Sequence, residues 1–182
     1  MTDARPSVAI GDLGPRARAV EVANRFGARL LRWLDRYYGQ RSLVGDHAFF
    51  PLEEFAWVTA VEARAPAIRA ELDEVLHDLD RLPNFQDIST DQYHLTQDDQ
   101  WKTFFLMGFG YPVHEHLARC PETAAALAEI PGVTTAMFSI LGPHKRIPPH
   151  GGAYKGVLRY HLGLRVPEPA AACGITVRGE TR

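Results

Sequence analysis

The stretch IPPHGGAYKGVLRYHLGL, residues 147 to 164, concentrates the side chains best suited to chemistry. Its second half sets Arg159 and His161 two residues apart inside an apolar run. Side chains of a strand alternate between faces, so Leu158, Tyr160, Leu162 and Leu164 would share one face, and Arg159, His161 and Gly163 the other. The first is a core face. A guanidinium and an imidazole side by side on the inner wall of a barrel are costly unless an anion compensates them. The planar fork of arginine suits a carboxylate, the imidazole can add a hydrogen bond from the same side, and Gly163 leaves room beside them. Two other readings stay open: this face is solvated, or Arg159 pairs with a nearby Asp or Glu.

His150 lies behind Pro148 and Pro149 and ahead of Gly151 and Gly152. The prolines fix the approach and the glycines let the backbone turn tightly, which could present one imidazole to a cavity. Neutral imidazole is a common metal ligand, although a histidine in such a turn is also an ordinary surface residue. His114 and His116, in the sequence HEH, could chelate but lack a third partner in the sequence. Cys120 and Cys173 are too few for a disulfide framework and have no metal-type spacing, so they read as buried or idle thiols.

The elements that must position these residues fall into two halves. Residues 1–14 hold Pro6, Gly11 and Gly14 without periodicity and read as a loose tail. From Pro15 to Tyr38 apolar residues recur at helical spacing while Arg25, Arg29, Arg32 and Arg36 form a second stripe. This arginine-rich amphipathic helix suits either an anionic lipid surface or plain solvation. Residues 53–64 and 66–81 read as two further helices, with Pro66 at a first-turn position that needs no amide donor. After residue 83 the texture changes to short β-rich segments: WKTFFLMG (101–108), TTAMFSIL (134–141), GVLRYHLGLRV (156–166) and GITVR (174–178). One helix, PETAAALAEI (121–130), interrupts them, opened by Pro121 and closed by Pro131 and Gly132. The expectation is an α+β protein, a helical part (15–83) joined to a β sandwich or barrel (84–182) in a single domain.

The chain has 182 residues and a formal charge of −2, with 23% charged residues. It lacks the basic excess with which nucleic-acid binders displace phosphate counterions, so nucleic acid is not an expected partner. Neither a signal-type start nor an uncharged run long enough to span a bilayer is present, and the expected location is cytoplasmic.

The run FSILGPHKRIPPHGGAYKGVLRYHLGLRVP (138–167) resembles the aspartyl/asparaginyl β-hydroxylase family of iron(II)- and 2-oxoglutarate-dependent oxygenases. Supporting similarity extends upstream through WKTFFLMGFG, CPETAAALAEIPG and TTAMFSIL, covering roughly the second half of the chain. The resemblance implies a double-stranded β-helix, or jelly roll, with the N-terminal helices packed on it. It implies that His150 is the first iron ligand, that Arg159 and His161 grip the oxoglutarate carboxylate nearest the metal, and that Ser139 bonds the far carboxylate. The implied cofactors are Fe(II) and 2-oxoglutarate, and the implied reaction is hydroxylation of an unactivated C–H bond with oxoglutarate decarboxylated to succinate.

The sequence departs from that pattern in three places. Gly152 stands where most such oxygenases carry an acidic ligand; the β-hydroxylase branch likewise lacks the acid, whereas the related lipid A hydroxylases carry Asp there. Val157 stands where members acting on an aspartyl side chain carry arginine. A valine cannot pair with a carboxylate, so the expected substrate is a neutral side chain, an amino acid, a peptide or a lipid. The family's second ligand histidine, and the arginine that follows it, find no counterpart in the residues after His150, and neither His144 nor His161 is an obvious replacement. The expectation is therefore a C-terminally truncated oxygenase with an incomplete barrel. The alternative is a non-catalytic, cupin-like module that keeps an anion pocket at Arg159 and His161.

Overall fold

The computed structural model describes residues 27, 29, 30, 33, 34, 36–152 and 156–182. It divides into two compact units, residues 1–47 with 152–159, and residues 48–151 with 160–182. In the first unit, residues 27, 29, 30, 33, 34 and 36–39 are helical, the C-terminal part of the helix expected over 15–38. The N-terminal part of that helix and the tail at 1–14 lie outside the described residues. The helix closes with Gln40 N–H donating to Arg36 O (3.0 Å) and Arg41 N–H to Tyr38 O (3.0 Å).

The second unit begins with a 3-10 turn, Leu52–Glu54, and helix α1, Trp57–Ala63. Expected as one helix over 53–64, these are separated at Phe55, whose φ of −118° and ψ of 92° are extended. Helix α2, Ala65–Leu76, follows with a proline in its first turn and buries Ile68, Leu72 and Val75. Those positions are four and three apart, one face of a helix. The expected continuation to Arg81 is a separate 3-10 turn, Leu79–Arg81, because Asp78 leaves helical geometry at φ −101°, ψ 20°.

A short helix α3, Phe85–Ile88, leads to strand β1, Trp101–Gly108. Strand β2, Tyr111–Pro112, turns back on β1 through Phe109 and Gly110, whose φ values are +51° and +86°. Two left-handed residues make the two-residue hairpin whose twist matches its strands. Helices α4, His114–Arg119, and α5, Pro121–Ala128, then lead to strand β3, Ala136–Leu141. The sheet order is β2-β1-β3, antiparallel throughout. Thr103 lies opposite Ser139 and Phe104 opposite Phe138, and Leu106 is the extra residue of a bulge between Phe105 and Met107.

One face of this sheet makes the core. Phe104, Leu106 and Phe138 pack with Val61 of α1, Ile68, Leu72 and Val75 of α2, Cys120, and Ala126 of α5. Leu106 is 1% exposed, and burial of a side chain of this size is worth roughly 1.5–3 kcal/mol. The opposite face carries Trp101, which with Phe85 and Leu95 forms a second apolar cluster.

Residues 156–166 differ from the sequence expectation, for no strand is formed there. The alternation nevertheless survives in part. Tyr160, Leu162 and Leu164 pack against the core while His161 and Gly163 are exposed. Leu158, expected on the core face, is 48% exposed. The expected strand over 174–178 is a hairpin of β4, Thr176–Val177, and β5, Glu180–Thr181. Arg178 and Gly179 turn it with φ of +51° and +86°, the same two-residue turn as in β1–β2.

Candidate functional site

Ser139 sits on β3 on the face of the sheet opposite the main core, since its cross-strand neighbour Thr103 and the residue two before that, Trp101, project the same way. Trp101 Nε1–H donates to Ser139 Oγ at 3.0 Å. The indole is itself held flat against Phe85, with ring centroids 3.8 Å apart and planes 5° from parallel. Because the indole N–H can only donate, Ser139 Oγ is the acceptor and its own O–H remains to donate elsewhere. Trp101 was not singled out by the sequence, where it reads as an apolar strand residue.

The segment between Ser139 and His150 is clamped by a lysine. Lys145 Nζ donates to Thr96 Oγ1 at 2.7 Å and to both carboxylate oxygens of Asp98 at 2.8 Å, with only 6% of the lysine side chain exposed. A buried ammonium requires such partners, because it loses its hydration on burial. Asp98 Oδ1 also accepts from Gln100 N–H at 3.0 Å. The Lys145 hydrogen bond, and after it the one from Gln100 N–H, hold the Asp98 carboxyl below the ordinary carboxylate value. The backbone adds Gly142 N–H to Gln100 O (2.8 Å) and Lys145 N–H to Gly142 O (3.2 Å). A side chain at 142 would crowd Gln100, whose Cβ lies 3.3 Å from where the new Cβ would stand. Ile147, packed against the second apolar cluster, fastens the far end of the loop.

Beyond this clamp the two prolines lead to His150 in an exposed, irregular stretch, where its Nδ1 lies 2.9 Å from Pro148 O. The carbonyl accepts, so Nδ1 carries a proton, and in the neutral ring the lone pair is on Nε2. That is the tautomer a metal-ligating histidine needs, with the other ring nitrogen fixed by a backbone carbonyl. In that form His150 can serve as one metal ligand, and the Ser139 hydroxyl can donate to an acceptor. Among the described residues no cluster of three His, Cys, Asp or Glu side chains is placed to hold a metal ion. Arg159 and His161 are both exposed, Arg159 in the first unit and His161 in the second.

The HEH pair takes a structural role at His116. Its Nδ1–H donates to Phe105 O at 2.6 Å, and its ring stacks on Phe104 with centroids 4.0 Å apart. The side chain thereby satisfies a carbonyl of β1 where β2 does not reach, which explains a histidine in this short helix without a ligand. A cavity of about 350 Å³ beside it, lined by residues that include Asp78, Arg81, Phe105, His116 and Arg119, takes in neither Ser139 nor His150. Cys120 is wholly buried and its thiol is pushed up to about 11, by burial first and then by the charge of Glu71. Cys173 is exposed. A buried thiol raised in this way is not an activated nucleophile.

Residues 62–182 match the family described as aspartyl/asparaginyl beta-hydroxylase. The chain is 46% identical over 153 residues to an ornithine lipid ester-linked acyl 2-hydroxylase of Rhizobium tropici, an alignment covering 84% of this chain and 54% of that protein. It is 31% identical over 91 residues to aspartate beta-hydroxylase domain-containing protein 2 of Xenopus tropicalis and of Homo sapiens, covering 47% of this chain and 24% of each. The chain thus spans about half the length of the bacterial relative and about a quarter of the vertebrate ones. No solved structure matches it significantly. The family match runs through β1, α5, β3 and the His150 turn, the same segments whose residues carry the resemblance, and the chain belongs to the aspartyl/asparaginyl beta-hydroxylase family of hydroxylases.

Proposed function

We propose that the chain belongs to an iron(II)- and 2-oxoglutarate-dependent oxygenase that hydroxylates an acyl chain of a polar lipid. The observation that carries the reading is the 46% identity, over 84% of the chain, to a protein named as an ornithine lipid acyl hydroxylase. The side chains support it locally. His150 holds its Nδ1 proton against Pro148 and offers Nε2 to a metal, while Ser139, fixed by Trp101, offers its hydroxyl to a carboxylate. By the family resemblance, Arg159 and His161 correspond to the pair that holds the oxoglutarate carboxylate nearest the metal. Val157 in place of an arginine suits a substrate without a carboxylate at the reacting end. Iron(II) with oxoglutarate and O₂ would supply the oxidising power for C–H hydroxylation, oxoglutarate leaving as succinate and carbon dioxide. In this reading the β2-β1-β3 sheet is one wall of a jelly roll, with the helices covering its outer face.

The test is incubation of the purified protein with iron(II), oxoglutarate, O₂ and ornithine lipid in detergent micelles, reading succinate by NMR and the lipid by mass spectrometry. The expected result is succinate matched by gain of one oxygen atom on the acyl chain, abolished by His150→Ala. Arg159→Ala should raise the oxoglutarate requirement about a hundredfold, the loss of a charge-assisted contact of ~2–3 kcal/mol. Succinate formation indifferent to His150→Ala, or an unchanged oxoglutarate requirement in Arg159→Ala, overturns the assignment of these residues. A lipid that gains no oxygen overturns the substrate.

A further inference from the structure

The described part of the N-terminal helical segment exposes its aromatic side chains instead of burying them. Trp33 is 53% and Tyr38 52% exposed, Leu30 nearly as much, and Leu43 is fully exposed. The rings are ordered against one another. Trp33 stacks on Tyr37 with centroids 5.5 Å apart, Tyr38 meets Tyr37 edge-on at 5.8 Å, and the Arg41 guanidinium lies 3.7 Å above the Tyr37 ring. At 3.6 residues per turn, Arg29 and Arg36 fall within about 20° of each other around the axis, with Trp33, Tyr37 and Leu30 following in order over roughly the next 100°. A basic stripe thus borders an aromatic and apolar one. Trp33, Arg36, Tyr37 and Gln40 also line an open hollow of about 290 Å³.

Charge is distributed to match. Residues 15–47 carry seven arginines against Glu21, Asp35 and Asp46, a net of +4. Residues 48–182 carry twelve basic against seventeen acidic side chains, a net of −5. The basic excess therefore falls, in the sequence, within the segment that contains these rings. Tryptophan and tyrosine have an apolar body and one polar atom, which suits the boundary between headgroups and acyl chains. Arginine at the same level pairs with phosphate while its stem covers apolar surface.

We propose that residues 29–43 form an interfacial anchor by which the chain docks on anionic phospholipid bilayers. The proposal rests on the reading that the substrate is a lipid, and it supplies the means by which the protein reaches one. None of the helices among the described residues is long and apolar enough to cross a membrane, so this is attachment in the plane of the surface.

The experiment is co-sedimentation with vesicles of phosphatidylglycerol and phosphatidylcholine, and with vesicles of phosphatidylcholine alone, together with tryptophan emission. The wild type should be retained on the anionic vesicles, with a blue shift that Trp33→Phe removes. Each basic group near an anionic surface is worth roughly fivefold in partitioning, so the triple variant Arg29→Glu, Arg36→Glu, Arg41→Glu should lose more than a hundredfold. Arg69→Glu, an exposed reversal on α2, should bind as the wild type does, and far-UV circular dichroism checks that both variants fold. Wild-type protein that stays in the supernatant, binds both vesicle types equally, or binds as well after the triple reversal overturns the proposal. Turnover of lipid in detergent micelles separates the two readings. A protein that oxidises micellar lipid yet ignores anionic vesicles ends the anchor and spares the substrate, and one that binds vesicles but oxidises no lipid does the reverse.

Discussion

Glu71 of α2 caps a helix to which it is not connected in sequence. Its carboxylate accepts from the backbone N–H groups of Glu122 (2.6 Å) and Thr123 (2.9 Å) and from the Thr123 hydroxyl (2.6 Å). These amides belong to the first turn of α5, where N–H groups have no partner within the helix and where the dipole favours a negative charge. Cys120, at the cap position itself, makes no side-chain cap bond, so Glu71 performs that task from across the helix pair. Glu71→Ala removes a charged acceptor from three donors. A lost cap costs about 0.5–2 kcal/mol and a bond to a charged group about 1.5–3 kcal/mol. Glu71 is half-buried and water can refill part of the gap, so the expected loss is about 2–3 kcal/mol, or roughly 5–10 °C in Tm for a chain of this size. Glu71→Gln keeps one oxygen and should lose about half as much. The assay is urea unfolding followed by circular dichroism, with the slope m unchanged between variants. Thr123→Ala closes a double-mutant cycle in which the double variant should be less destabilised than the two singles added. Loss below about 0.5 kcal/mol in Glu71→Ala, or strict additivity with Thr123→Ala, would refute the reasoning.

The clamp ahead of His150 should be visible in acid. The Asp98 carboxyl is held below its ordinary value of 3.8, so its contribution is present above that pH and disappears as the pH falls through the lower, folded-state value. Urea midpoints measured down to pH 2.5 should fall more steeply in the wild type than in Asp98→Asn, and parallel curves would remove the clamp from the account. The thiol of Cys120 has the opposite sign, being raised from 9.0 to about 11. Its contribution is intact below pH 9 and is lost as the pH climbs through 11, a decline that Cys120→Ala should flatten. At pH 8 a disulfide reagent should titrate one thiol per native chain, Cys173, and two in urea; rapid reaction of both in the native protein would contradict the burial of Cys120.

Local pattern decided much of this protein before any coordinates. WKTFFLMG became β1 with the expected bounds, since it is rich in β-forming and apolar residues and a turn follows at once. Pro66 and Pro121 marked the starts of α2 and α5 because proline fits only the first helical turn, where no amide donor is missed. The alternation of Tyr160, Leu162 and Leu164 toward the core was equally legible, as was the candidate status of Ser139, His150, Arg159 and His161 through the motif they share. Other features depended on groups far apart in the chain. Whether 156–166 pairs as a strand depends on a neighbour, and the sequence of one segment cannot provide it. Trp101 reaches Ser139 across 38 residues, Lys145 reaches Asp98 across 47, and Glu71 reaches Thr123 across 52. Each is a polar group that burial or a helix end obliges to find a partner. The obligation is written in the residue type, but which partner meets it is settled only when packing of the apolar faces brings distant segments together.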